Sequence, residues 1–204
     1  MLSASKSKVD GAMREFVGLK EAVRKLLDRD LTQKHIEAFA WYSSELREWN
    51  NRFNLTAITD PEGIEVRHFL DSLTCLLAIG SFSSESVIDL GTGAGFPGLP
   101  LKIFCPNLNL TLVEATKKKA NFCTHIATGL KLENVSVVHA RAEELGQNPE
   151  YRQSYDVAVA RAVAPLPVLI EYLLPLLRVG GVAIAQKGEM AHSEAQAVEG
   201  AIGI

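Results

Sequence analysis

The sequence predicts an α/β protein: a Rossmann-like, doubly wound, mostly parallel sheet preceded by an N-terminal helical region. Three observations carry this. Residues 1–85 read as helical, with apolar side chains recurring at helical spacing in three stripes. Over residues 86–204 short β-branched runs alternate with helical segments, which is the pattern of βαβ units. The strand candidates are continuously apolar, as strands covered on both faces are.

In the helical region, Val17, Leu19, Ala22, Val23, Leu26 and Leu27 form a first stripe between charged residues. Ile36, Phe39, Ala40, Tyr42, Leu46 and Trp49 form a second after Thr32, an N-cap candidate, and Asn50, Asn51 and Asn54 interrupt it. A third helix is expected from Asp60-Pro61, with proline in its first turn, through Ile64, Phe69, Leu70, Leu73 and Leu76, stopping before Gly80-Ser81. The expected strands are Val87-Leu90, Leu110-Val113, Val135-Val138, Val157-Ala160 and Val182-Ala185. Helices are expected at Leu99-Phe104, Lys117-Leu130, near Glu143, and at Pro167-Leu177. After Lys187-Gly188 a helical stretch passes Ala195 and Val198. A doubly wound sheet would use it as a crossover to another strand, and none follows before Ile204.

The 204 residues are 47% hydrophobic and 22% charged, a globular and not a disordered composition. No apolar run reaches the roughly 20 residues of a membrane-spanning helix, and the N-terminus lacks the apolar core of a secretory signal. Cys75, Cys105 and Cys123 have no C-x-x-C spacing, which speaks against a zinc site or a disulfide framework. The expectation is a reduced, cytoplasmic protein with no metal and no membrane association. A net charge of -3 neither favours nor excludes a nucleic-acid partner, because affinity depends on the phosphates contacted locally.

The strongest motif is Asp89-Leu90-Gly91-Thr92-Gly93-Ala94-Gly95-Phe96-Pro97-Gly98, which follows an apolar strand and opens a helix. Glycines let a backbone turn sharply and approach a ligand closely. Gly93, Gly95 and Gly98 satisfy G-x-G-x-x-G, so a dinucleotide is one reading. Asp89 favours another: an acid at this strand end suits a ligand with an ammonium and a sulfonium group and disfavours a pyrophosphate. Glu114 closes the second strand, where an acid accepts hydrogen bonds from ribose hydroxyls in either cofactor class. A solvated acid at a strand end is the plainer alternative for it.

The segment Val87 to Leu101 resembles the first motif of the bacterial small-subunit ribosomal RNA guanine-N7 methyltransferases, the glucose-inhibited division protein B family. Further matches follow in order: Asn51-Arg52-Phe53-Asn54-Leu55-Thr56, His68-Phe69-Leu70-Asp71-Ser72-Leu73, Lys117-Lys118-Lys119 before Phe122, Arg141-Ala142-Glu143-Glu144, Ala160-Arg161-Ala162 and Gln186-Lys187-Gly188. The resemblance implies a class I methyltransferase fold, S-adenosyl-L-methionine as cofactor, and 16S ribosomal RNA within a small-subunit ribonucleoprotein as partner. It implies cofactor contacts at Gly91, Phe96, Glu114, Ala115, Thr116, Ala142, Glu143 and Arg161. Asp89 and Gly93 join these from the loop reading, Phe96 is expected to cover the adenosyl group, and Arg161 is the candidate catalytic residue. Family members continue past Lys187-Gly188 into two more strands, so the sheet is expected to lack its C-terminal edge hairpin.

The chemistry implied is undemanding. Guanine N7 carries a lone pair and no proton, so methylation needs positioning and not a general base. The turn after the fourth strand reads Ala160-Arg161-Ala162-Val163-Ala164-Pro165. It has neither the Asn/Asp-Pro-Pro-Tyr turn of exocyclic-amine methyltransferases nor the cysteine of cytosine-C5 enzymes. His68, Asp71 and Ser72 share one helix and do not set a nucleophile against its base. Two rivals remain at this point: a nicotinamide-dependent dehydrogenase, and a non-catalytic RNA- or protein-binding module on a degenerate methyltransferase fold.

Overall fold

Among the described residues, five parallel strands form one sheet: β1 (Ser86–Leu90), β2 (Asn109–Val113), β3 (Val135–Val138), β4 (Tyr155–Arg161) and β5 (Leu177–Gln186), in the spatial order β3-β2-β1-β4-β5. The computed structural model describes residues 16–79 and 85–188, with Ala191 and Glu194. The chain winds outward from β1 through β2 to β3, then returns to lay β4 and β5 on the other flank of β1. The winding therefore reverses between β1 and β4.

Side chains alternate along each strand, and the two faces feed two separate cores. Val87, Leu110, Leu112, Val157 and Val159 enter one; Ile88, Leu90, Val113, Ala158 and Ala160 enter the other. The crossovers between parallel strands, right-handed as a rule, place helices on both faces. Helices α6 (Gly98–Phe104) and α7 (Lys117–Gly129) cover the first face; α8 (Ala142–Leu145), α9 (Leu166–Leu173) and the 3-10 turn Leu174–Leu176 cover the second.

The helical region adds a further layer to the first face. It comprises α1 (Val17–Leu27), α2 (Gln33–Phe53), α3 (Pro61–Ile64), a π-helical segment (Glu65–Leu70), α4 (Asp71–Leu73) and α5 (Cys75–Ile79). Leu19, Val23, Phe39, Tyr42, Leu46, Phe69 and Leu73 share one core with the sheet residues above. Local signals fix several ends. Thr32 caps α2 in a reciprocal box with His35, and Asp60 caps α3 through Gly63 N–H, with Pro61 in the first turn.

The sequence reading and the structure differ in four places. Val17 and Leu26 are exposed, so α1 buries only Leu19 and Val23 of its stripe. Helix α2 runs through Asn50 and Asn51 and ends at Asn54, which takes the left-handed cap conformation, φ 48°. The third helix is widened into a π-turn at Glu65–Leu70. The last crossover helix ends at Leu173, and β5 begins at Leu177 with a bulge opposite Tyr155–Val157 that takes up Gly180, φ 85°. On β5, the outermost described strand, Val179 and Val182 are exposed. The helix expected over Ala195 and Val198 lies outside the described residues.

The contact between α2 and α7 leaves no slack. A Cβ on Gly129 would lie 2.2 Å from Trp41 Cη2. Gly129→Ala should therefore cost about 1–3 kcal/mol by overpacking, read as a lower urea midpoint with unchanged slope; an unchanged midpoint would show that Trp41 moves freely.

Candidate active site

The C-terminal ends of β1, β2 and β4 meet where the winding reverses, which is where doubly wound sheets bind ligands. From β1 the chain enters the glycine loop. Gly91, Gly93 and Gly95 take φ of +67°, +62° and +98°, the left-handed region that glycine tolerates. Their surroundings differ. A Cβ on Gly91 would lie 2.6 Å from Val163 Cγ2, and one on Gly95 would lie 2.4 Å from Leu99 Cδ1 and 2.5 Å from Tyr42 Oη. A Cβ on Gly93 would meet nothing nearer than the Gly91 carbonyl, at 4.0 Å. Packing demands the first and third glycines, whereas Gly93 faces open space.

Two acids hold this loop. Asp89 is fully buried; its Oδ2 accepts from Thr92 Oγ1–H at 2.6 Å and from Gly98 N–H at 2.8 Å. Its Oδ1 has no partner among the described residues. Burial pushes the Asp89 carboxyl up to about 6, against the lowering pull of those two hydrogen bonds. Glu114, just past β2, is also buried; its Oε2 accepts from Gly93 N–H at 2.9 Å and its Oε1 from Thr116 N–H at 2.7 Å. Thr92 N–H donates to Val113 carbonyl at 3.0 Å, so the loop is stitched to the end of β2 by backbone as well.

Phe96 is buried in an aromatic cluster. Its ring stacks on His68 at 4.3 Å between centroids and on Tyr42 at 5.3 Å, with interplanar angles of 10° and 7°. The Tyr42 hydroxyl donates to the Ala94 carbonyl, inside the loop. Arg161, the last residue of β4, lies with Cζ 5.2 Å from the Phe96 centroid. Its NH1 donates to Asp71 Oδ2 at 2.8 Å and to the Arg67 carbonyl at 3.0 Å, and its NH2 lies 3.2 Å from His68 Nδ1. The next residue, Ala162, has φ +55°, a conformation uncommon outside glycine.

Hydrogen bonds thus join Asp89, the glycine loop, Glu114 and Thr116, and stacking joins Phe96 to Arg161. Ala115 is exposed beside them, its carbonyl 3.0 Å from His139 Nε2. Ala142 and Glu143 open α8 at the same sheet edge without a hydrogen bond to the loop among the described residues; exposed Glu143 lies 3.7 Å from Arg141. Lys117 and Lys118 are exposed at the start of α7. Sequence reasoning passed over Tyr42, whose hydroxyl was the only hint that it is more than core, and the joint use of Thr56, His68 and Asp71. No cluster of His, Cys, Asp or Glu suited to a metal occurs among the described residues, and no described helix is long and apolar enough to cross a membrane.

Comparison with known proteins decides the family. The family described as rRNA small subunit methyltransferase G (GidB) matches residues 35–203. The chain belongs to this family. It is 59% identical over 158 residues to a ribosomal RNA small subunit methyltransferase G of Roseiflexus sp. strain RS-1, covering 78% of this chain and 67% of that protein. Identity to the protein of the same name from Caldanaerobacter subterraneus subsp. tengcongensis is 52% over 154 residues, 76% of this chain and 64% of the relative. The match therefore spans about two thirds of these relatives. Among solved structures, a Corynebacterium glutamicum protein aligns with TM-score 0.52 at 19% identity, over 80% of this chain and 81% of that one. A Methanococcus maripaludis protein aligns with TM-score 0.51 at 14% identity, over 76% of this chain and 68% of that one. At these identities the two share the Rossmann-like fold with this family member.

Asp89 gives a pH signature. Its carboxyl is raised from 3.8 to about 6 in the fold, so the folded state binds this proton more tightly than the unfolded chain. The burden of burying the charge is absent below about pH 4 and complete above about pH 6. Asp89→Asn keeps an acceptor for Thr92 and Gly98 without the charge. Its stability relative to the unsubstituted protein should rise by on the order of 2–3 kcal/mol between about pH 4 and pH 7, measured by urea unfolding without cofactor. A difference flat with pH would mean that Asp89 is not buried as an ion.

Proposed function

We propose that this chain transfers a methyl group from S-adenosyl-L-methionine to N7 of a guanine in 16S ribosomal RNA, at position 527 in the 530 loop, presented within a small-subunit ribonucleoprotein in the cytoplasm. The observation that supports this most is how the glycine loop is held. A dinucleotide loop offers its backbone N–H groups to a pyrophosphate. Here Gly93 N–H already donates to Glu114 and Gly98 N–H to Asp89. Two carboxylates stand where a pyrophosphate would need donors, and a cationic ligand suits them.

The residues fit the cofactor. Asp89 adds negative charge from a fully buried position beneath the loop, where its Oδ1 has no partner among the described residues, and that charge favours a cationic ligand over an anionic one. Glu114 uses one lone pair on each oxygen for a backbone N–H, and a carboxylate oxygen has another to accept from a ribose hydroxyl. Ala115 and Thr116 extend that strand end, and Ala142 and Glu143 stand past β3 for the adenine. Phe96, packed under Tyr42 and His68, supports the site from within. Bound S-adenosyl-L-methionine supplies an electrophilic methyl group. The protein's work is to align N7 with it and to exclude water, and no side chain has to take a proton. Arg161 presents three of its five N–H groups to protein acceptors, leaving two for a ligand at the switch point.

Calorimetric titration with S-adenosylhomocysteine and with NAD tests the cofactor, and mapping N7-methylguanine in small-subunit RNA from cells with and without the gene tests the target. Binding of the first ligand only, and one modified guanine that depends on the gene, are expected. Tight binding of NAD would support a dehydrogenase, and binding of RNA with no methyl transfer would support a non-catalytic module. Gly93→Val places a side chain into the open space above the loop at a positive φ, and should abolish S-adenosylhomocysteine binding; unchanged affinity would remove the loop from the site. Arg161→Lys keeps the charge but not the three-point attachment, and should lower methyl transfer roughly ten- to a hundred-fold, the loss of one charge-assisted hydrogen bond of about 1.5–3 kcal/mol. Near-normal turnover at equal thermal stability would exclude Arg161.

A further inference from the structure

We infer that His68 is a positioning residue for methyl transfer: an imidazole from the helical region that accepts from Arg161 through Nδ1 and fixes the guanidinium beside the cofactor loop. The inference rests on the reading of Arg161 as part of the site.

The geometry settles the tautomer. Arginine only donates, so His68 Nδ1, 3.2 Å from Arg161 NH2, is the acceptor. The proton is then on Nε2, which donates to Thr56 Oγ1 at 2.9 Å. Thr56 is itself fixed: its Oγ1 also accepts from Ile58 N–H at 3.1 Å, and its N–H donates to Asn50 Oδ1 at 2.9 Å. The ring cannot turn without breaking both contacts, and it is stacked flat on Phe96. Helix α2, through Asn50 and Thr56 beyond it, thus reaches the end of β4 through one imidazole.

Burial, reinforced by the neighbouring guanidinium, keeps that imidazole neutral. Burial first, and then the guanidinium of Arg161, hold His68 down to about 4; the Arg67 charge acts in the same direction and its backbone hydrogen bond opposes them. Asp71 is the nearby acid, and it is paired with Arg161 NH1. A protonated His68 would set an N–H against an N–H and a cation against a cation. The π-turn serves the same end: within Glu65–Leu70 the Arg67 carbonyl is delivered to Arg161 NH1, alongside His68 and Asp71. Three contacts, from Arg67 and His68 in the π segment and from Asp71 at the start of α4, therefore define the direction of the guanidinium.

Two substitutions separate positioning from packing. His68→Asn places Oδ1 near the site of Nδ1 and keeps the acceptor while losing the ring against Phe96. His68→Phe keeps the ring and loses the acceptor. Methyl transfer is measured on small ribosomal subunits from cells that lack the endogenous enzyme, beside thermal melts. His68→Phe should melt near the unsubstituted protein and lose ten-fold or more in kcat; His68→Asn should melt lower and lose less than about three-fold. In the Arg161→Lys background, His68→Phe should cost almost nothing further, since both act through one group. Nitrogen-15 NMR of labelled histidine should show His68 as the Nε2–H tautomer with no titration between about pH 5.5 and 8. Activity losses that simply follow the melts, additivity with Arg161→Lys, or a titration in that range would overturn the inference. Failure of the unsubstituted protein to bind S-adenosylhomocysteine would instead overturn the cofactor reading, while the NMR result still reports on the His68–Arg161 contact.

Discussion

A loop in which three glycines take positive φ has no secondary structure to hold it, and here two buried carboxylates do so. Asp89 takes the hydroxyl of Thr92 and the first N–H of α6; Glu114 takes Gly93 N–H and ties it to the next strand. Hydrogen bonds to a charged acceptor at low dielectric are stronger than neutral ones, so few are needed. The same contacts place two carboxylates against the loop and occupy the N–H groups of Gly93 and Gly98, whereas Thr92, Gly95 and Phe96 donate to backbone carbonyls.

The helical region belongs to that arrangement. Its core is continuous with one face of the sheet. Tyr42 from α2 reaches the Ala94 carbonyl within the loop and stacks on Phe96, while the π-turn delivers His68 and the Arg67 carbonyl, and α4 delivers Asp71, to Arg161. Displacing these helices would leave Arg161 with unpaired donors at the sheet edge and the loop without its aromatic support. π-turns often occur at functional sites, and this one lies against Arg161. Family membership, with relatives over 50% identical across more than three quarters of the chain, agrees with a site built from both regions, since the match begins at residue 35, within α2.

Much of this was legible in the sequence, for local reasons. Strand and helix order follow from hydrophobic period and β-branched runs. Thr32 and Asp60-Pro61 are capping signals that act within three residues. The glycine loop reads directly, because φ above zero is a property of the residue itself. The expected roles of individual residues were less legible. Phe96, read as a cover for the adenosyl group, lies packed between rings contributed from two other elements. Asp89, read as facing a ligand, lies beneath the loop with no exposed surface. A side chain's neighbours, unlike its backbone preference, are set by chain segments far away.

By itself, then, the sequence determined a parallel doubly wound sheet, a glycine loop at the end of its first strand, and an acid at the end of its second. Each rests on interactions within a few residues or on a periodicity that repeats. Only the tertiary structure decided which glycine faces open space, that Glu114 holds Gly93, that a helix opens into a π-turn, and that His68 and Asp71 converge on Arg161. Those contacts join residues 21 to 93 positions apart. No short-range rule reaches across that distance: the partners meet because the sheet brings the ends of β1, β2 and β4 together and the helical layer packs over them.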